Sequence, residues 1–376
     1  MGGPQVAHPP ARGSQNREIY IDAFRGLMAL VMVQGHVMDA LLTPESLAAP
    51  WYVFQKMFHG STAPGFLFAS GFVAGLPRLP LSWRASLRRT RRVLFVLATG
   101  YFLHLPYLSF WKIRAAATPA ERANLFSCDA LQVIAVTQLA VIVLRWLAGR
   151  HWTRVAAAIA VVIVAVSPLV WSSHLSARLP APIGAYLDDS TGSRFPVFPF
   201  TAFVLAGTLA GATLGRVDPE VRHRRVLVAG SLLLVVAALL AGALEGRIDY
   251  WSGPSPAYAV VRLGALLLLL RVVEIAASLR LPGIPSLALL GHETLLVYVL
   301  HLHLLFGGIF GGSPLLQLAG RLGFGSALLV VVAMVPVMLL AAWLWRAAKQ
   351  HYPHEAQQAL VFLSVLLLYE FLTRPW

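Results

Sequence analysis

Charged side chains are scarce in this chain, and cysteine is almost absent. Only 12% of the 376 residues are charged, against about 25% in soluble globular domains, whereas 58% are hydrophobic. The single cysteine, Cys128, excludes an intrachain disulfide and a zinc site built from cysteines. With a mean hydropathy of +0.70, the sequence predicts a polytopic membrane protein.

Acidic residues are also few, and several common functional motifs do not occur. The chain has 16 acidic residues against 30 basic ones, giving a net charge of +14. In a membrane protein this excess favours cytoplasmic loops and anionic lipid head groups, so we expect lipids and no nucleic acid as partners. There is no Gly-x-Ser-x-Gly elbow, no Gly-x-x-x-x-Gly-Lys phosphate loop and no His-Glu-x-x-His zinc signature. We therefore expect a site without a metal ion.

The apolar runs predict an all-α bundle of about ten or eleven transmembrane helices, the last of them uncertain. No internal repeat or linker divides the bundle, so we expect a cytoplasmic tail over residues 1–18 and one transmembrane domain over residues 19–376. Arginines concentrate in alternate loops, which predicts a cytoplasmic N-terminus and an outer position for His36 and His59. The runs lie near residues 19–42, 62–77, 93–110, 128–148, 154–171, 198–215, 226–244, 257–279, 285–310, 325–345 and 356–373.

The first of these runs carries an arginine and a histidine on one face. Arg25 and His36 are about eleven helical steps apart, which at ~100° per residue returns to within about 20° of the same direction. The two side chains are then ~16 Å apart along the axis. Because ionisable groups in a membrane helix are costly, we interpret Arg25 as a site for an anionic ligand such as phosphate and His36 as a general base.

Other polar residues could share a cavity with His36. His59 opens the second span within reach of His36, and Tyr298 and His301 are three residues apart on one face of the ninth span. Asp129 and Gln132 are a turn apart at the outer entrance of the fourth span. Contact with a substrate and hydrogen bonding between helices both explain this last pair.

An arginine cluster precedes the third span and includes Arg88 and Arg91. Its simplest interpretation is the positive charge that cytoplasmic loops retain. A second interpretation is a clamp for a polyphosphate, because guanidinium groups bind phosphates in a bidentate manner. Both interpretations can hold together.

These motifs resemble the transmembrane acyltransferase superfamily. Arg25-x10-His36, Ser70-Gly71-Phe72 and Arg88-x-x-Arg91 are similar to motifs of acyltransferase family 3, whose members O-acetylate bacterial envelope polysaccharides. The segments beginning at Asp22 and Asp129 are more similar to heparan-alpha-glucosaminide N-acetyltransferase and its bacterial relatives. Tyr298-x-x-His301 is similar to a closing motif of both branches.

The resemblance implies a donor, an acceptor and a set of roles. Acyl-coenzyme A, with acetyl as the expected acyl group, would be held from the cytoplasmic side by Arg25, Arg88 and Arg91. The acyl group would pass to a hydroxyl or amine of a carbohydrate or other envelope acceptor outside. We expect His36 as the catalytic base, with His59 as the second choice. Tyr298 would assist, and Asp129, Gln132 and His301 would contact the acceptor.

Two functions thus follow from the sequence. The first is an acyltransferase in the inner (plasma) membrane of a bacterium. The alternative is a transporter or flippase for a small envelope precursor, which would use the same buried polar stripe as a pathway. The sequence leaves a homo-oligomer open.

Overall fold

The protein is all-helical in its computed structural model, which describes residues 12–76, 82–215, 217–249, 252–307 and 312–375. Within these ranges no strand forms, and Leu42 and Leu322 make an isolated β-bridge. Residues 1–11 of the expected tail lie outside the described residues. The α-helices are α1 (Arg12–Leu41), α2 (Pro44–Ala48), α3 (Pro50–His59), α4 (Thr62–Gly75), α5 (Trp83–Leu103), α6 (Phe110–Ala116), α7 (Pro119–Phe126), α8 (Ala130–Ala148), α9 (Trp152–Ser172), α10 (Ala181–Gly184), α11 (Val197–Leu214), α12 (Pro219–Leu244), α13 (Pro256–Ser278), α14 (Ile284–His292), α15 (Thr294–Phe306), α16 (Phe324–His351) and α17 (Pro353–Thr373).

The predicted helical membrane bundle is confirmed. Among the described residues, five helical segments are long and apolar enough to cross a membrane, or six if α14 and α15 form one bent span. Shorter helices of the bundle, such as α4 with 14 residues, are not included in this number. The prediction of ten or eleven spans and the predicted orientation therefore stay predictions.

Several boundaries differ from the predicted ones. Helix α1 begins at Arg12, inside the expected tail, and α5 begins at Trp83 instead of near residue 93. The arginines around Arg88 are therefore part of a helix, because Ser82 caps α5 ahead of them by accepting a hydrogen bond from the Ala85 amide. The expected outer loop 111–127 contains the short helices α6 and α7.

The long loop between α9 and α11 is folded around a buried carboxylate. Asp188 accepts hydrogen bonds from the Ser176 hydroxyl (2.7 Å) and the Ser190 amide (3.0 Å). Burial raises the pKa of Asp188, but the hydrogen bonds from Ser190 and Ser176 outweigh burial, so the pKa lies below its ordinary value. Further along, Ser193 accepts a hydrogen bond from the Cys128 amide (2.8 Å). This bond ties the loop to Cys128, two residues before the start of α8.

Helix α1 lies at the centre of the bundle, where it packs against α4, α13, α14, α15 and α16. Its approach to α14 is close enough that a Cβ added to Gly26 would collide with the Leu287 carbonyl. Helices α14 and α15 meet at 84° around Glu293, whose carboxylate pairs with Lys349 of α16 at 2.6 Å. The bend places α15 against α1.

Glycines bring α4 and α11 into backbone contact. A Cβ on Gly71 would collide with the Val204 carbonyl oxygen, and a Cβ on Gly207 with the Phe68 carbonyl oxygen. Phe68, Phe72 and Phe203 fill the core beside this contact. Close packing of small residues, which membrane helices commonly use, therefore accounts for Gly71 without any catalytic role.

We expect the substitution Gly71→Ala to destabilise the protein by about 1–3 kcal/mol, since its methyl group must push α4 away from α11. Thermal unfolding of purified protein in detergent measures the effect. Gly242→Ala on α12 is the matched control, because a Cβ there meets nothing within 4 Å. Equal unfolding temperatures for the two variants would contradict the assigned packing role.

Candidate active site

A cavity of about 520 Å³ lies beside the half of α1 that carries His36. Met32 and His36, one helical turn apart, form its α1 wall. The face of α1 that Arg25 shares with His36 thus meets the cavity at Met32 and His36, whereas Ala29, one turn closer to Arg25, does not line it. The main polar side chains that line the cavity are His36, His59, His104, Asp129, Arg194 and Tyr298.

His36 is held by rings from two other helices. Its Nδ1 atom lies 2.9 Å from Nε2 of His301, and the two rings stack with centroids 5.2 Å apart. The His59 ring stands edge-on at 5.9 Å, and the Phe306 ring at 6.3 Å. His36 is therefore fixed in orientation while it still lines the cavity.

His59 is positioned by Asp39 and by a glycine of α1. Its Nε2 lies 3.4 Å from Asp39 Oδ2, while Asp39 Oδ1 accepts a hydrogen bond from Tyr52 (2.8 Å) and pairs with Lys56 (3.2 Å). The imidazole rests against Gly35, where any Cβ would overlap it. Helix α1 thus sets the separation between His36 and His59.

A second wall of the cavity begins at the first turn of α8. Asp129 caps this helix, accepting a hydrogen bond from the Ala130 amide (2.7 Å), and Gln132 completes a capping box with the Asp129 amide. Nε2 of His104 lies 3.6 Å from Oδ2 of Asp129, and its Nδ1 lies 3.3 Å from the side-chain amide nitrogen of Gln132. Tyr298 also interacts with Asp129. Both predicted residues of α8 therefore line the cavity and also hold its wall together.

Arg194 brings a cation to the cavity from the loop before α11. Its neighbours fix it there, because Ser193 bonds the Cys128 amide and the Phe195 amide bonds the Cys128 carbonyl at 3.1 Å. Arg194 interacts electrostatically with His36, Asp129 and Tyr298.

Sequence reasoning singled out neither Arg194 nor His104 as a functional residue. For Arg194 a signal existed, since arginine is depleted from the outer loops of membrane proteins and this one stands in a predicted outer loop.

The predicted phosphate ligands lie outside this cavity. Arg25 donates to Asp22 (3.0 Å) and to the Thr294 hydroxyl (2.6 Å) at the far end of the α1 stripe. Arg88 and Arg91 are exposed on the first half of α5. None of these three arginines lines the cavity that contains His36. The side chain of Arg25 bonds to Asp22 and Thr294 and not to Arg88 or Arg91.

The position of His301 differs from the predicted one, in which its side chain contacts the acceptor. It is fully buried behind His36 and does not line the cavity, because α15 turns this face toward α1. Tyr298 and His303 line the cavity instead. Among the described residues, no group of three His, Cys, Asp or Glu side chains is arranged to hold a metal ion. The expectation of a site without a metal ion stays a prediction.

Comparison with known proteins places this site in a family. No curated protein was found to match the chain. A family model described as an acyltransferase domain, acyltransferase family 3, matches residues 18–346, which contain the cavity, Arg25 and the arginines of α5. Because the match covers far more than half of the 376 residues, the chain belongs to acyltransferase family 3.

Proposed function

We propose that this protein transfers an acyl group, in particular acetyl, from cytoplasmic acyl-coenzyme A to a hydroxyl or amine of an extracytoplasmic sugar or glycan. The proposed location is the inner membrane of a bacterial cell. The observation that carries the proposal is the placement of His36, which lines a cavity of about 520 Å³ while a second histidine holds its ring. A fixed imidazole facing open space suits general base catalysis.

The proposed step is a direct transfer. His36 removes the proton from the acceptor hydroxyl or amine as this group attacks the thioester carbonyl carbon. The new bond forms, the carbon–sulfur bond breaks, and the thiolate of coenzyme A takes the proton from the imidazolium. Charge builds on the carbonyl oxygen during the attack, and Arg194 and the Tyr298 hydroxyl are the donors near His36 that can stabilise it.

The donor is proposed to place its thioester beside His36 and its phosphates beside Arg25, at opposite ends of one face of α1. Arg25 is ~16 Å from His36 along the helix, so the reactive thioester and the phosphates of one extended donor can occupy opposite ends. Arg88 and Arg91 support phosphate binding because both are exposed and take part in none of the salt bridges found among the described residues. His59, held by Asp39, orients the acceptor beside His36.

We expect His36→Ala to lower kcat by about 10² to 10⁴-fold, the usual contribution of a general base. The measurement is release of coenzyme A and transfer of label from radiolabelled acetyl-coenzyme A by purified protein supplied with envelope glycans. His354→Ala, an exposed histidine on α17, is the control and should keep wild-type turnover. Full turnover of His36→Ala would refute the assigned base.

The purified protein, reconstituted into vesicles, tests the alternative of a transporter. In sealed vesicles, an acyltransferase cleaves the thioester and leaves the label on the acceptor. A transporter or flippase would move its labelled cargo across the membrane intact and release no coenzyme A. Intact movement without release would overturn the proposed function.

We expect Arg88→Ala combined with Arg91→Ala to raise the KM for the acyl donor by about tenfold or more, because charge-assisted hydrogen bonds to phosphate are lost. The KM for the acceptor should stay unchanged. Arg150→Ala, another exposed arginine, is the control. A defect confined to the acceptor KM would contradict the donor assignment.

We expect Arg194→Gln to lower kcat by about 10- to 100-fold with little change in the donor KM, since its charge acts on the developing oxyanion. Arg178→Gln in the same loop is the matched control, because Arg178 does not line the cavity. Steady-state kinetics with both substrates varied make the measurement. A donor KM effect without loss of kcat would instead place Arg194 among the donor ligands.

A further inference from the structure

A chain of two hydrogen bonds determines which nitrogen of His36 carries the proton. His301 Nδ1 lies 2.9 Å from the Val297 carbonyl oxygen, one turn back on α15. His301 Nε2 lies 2.9 Å from His36 Nδ1. His301 is fully buried, so water does not replace either partner.

The Val297 carbonyl determines which atom donates and which atom accepts in each hydrogen bond of this chain. A carbonyl oxygen only accepts, so His301 Nδ1 carries a proton and donates it to Val297. In a neutral imidazole the other nitrogen is then an acceptor. His301 Nε2 must therefore accept, and His36 Nδ1 must donate. The remaining nitrogen of neutral His36, Nε2, has a free lone pair.

The neutral form of His301 agrees with its surroundings. The pairs of histidine with carboxylate among the described residues involve His59, His104 and His292. His301 instead contacts the His36 ring and, at 5.7 Å, the Tyr298 ring. A buried charge without a counter-charge is costly, so these contacts favour an uncharged ring.

We infer that His301 is a positioning residue that holds His36 as the tautomer with an unprotonated Nε2, the form that acts as a base. The inference rests on the proposed acyl transfer and replaces the expected contact between His301 and the acceptor. When His36 Nε2 takes the proton of the acceptor, the imidazolium keeps its Nδ1–H bond to His301 Nε2. When the thiolate of coenzyme A recovers that proton, the starting tautomer returns.

Two amide substitutions separate this role from simple packing. The amide oxygen of His301→Gln can lie where Nε2 lies and accept from His36. The amide of His301→Asn can still reach the Val297 carbonyl, but it is too short to reach His36. We expect Ala and Asn at this position to lower kcat by about 10- to 100-fold with unchanged KM values, and Gln to recover most of the loss.

The controls address folding and coupling. Leu304→Ala, an exposed residue of the same helix, should keep wild-type kinetics. Adding His301→Ala to His36→Ala should cause no further loss, because two residues that act as one unit are not additive. Equal kcat for wild type and His301→Ala, or equal losses for the Asn and Gln variants, would overturn the inference.

A measurement without turnover keeps this inference separate from the proposed function. In protein labelled with ¹⁵N-histidine, the NMR signals that disappear in His36→Gln belong to His36. We expect them to report a protonated Nδ1 and a bare Nε2, and to change in His301→Ala. A protonated Nε2 would refute the positioning role even in an active enzyme. Absence of acyl transfer by wild type would refute only the proposed function.

Discussion

Polar side chains inside a membrane bundle must find their partners within the protein, and α1 is the helix most affected by this constraint. Its Arg25 is paired with Thr294, and its His36 with His301, both on α15. Thr294 and His301 are about two turns, or ~10 Å, apart along α15, so one face of α15 provides partners for both polar residues of α1. Both α14 and α15 pack against α1, and they meet at 84° around Glu293.

The residues at the start of α8 both support a wall of the cavity and line it. Asp129 and Gln132 hold the start of α8 by a capping box, and His104 bonds to both from the end of α5. Because the loop with Arg194 is tied to Cys128, it ends beside the same helix start. Arg194 and His36 therefore line the same cavity from different parts of the chain, a loop and α1.

The sequence predicted the parts of the site that depend on one helix. The shared face of Arg25 and His36 follows from helical periodicity alone, because it depends on the geometry of α1. Three-residue spacing groups His301 with Tyr298, and their rings do lie 5.7 Å apart, but only Tyr298 lines the cavity because His301 is buried against His36 of α1. Arg194 and His104 come from loop and helix ends far apart in the chain, and no local pattern brings them together. The starts of α1 and α5 were missed because their first turns are too polar for a hydropathy criterion.

The contact between Gly35 and His59 has an evolutionary consequence. Since any Cβ at position 35 would overlap the imidazole, a larger residue there requires a smaller one at position 59 or a displaced α3. Positions 35 and 59 therefore form a coupled pair, although they lie on different helices. Within the family, the two positions are therefore expected to change together.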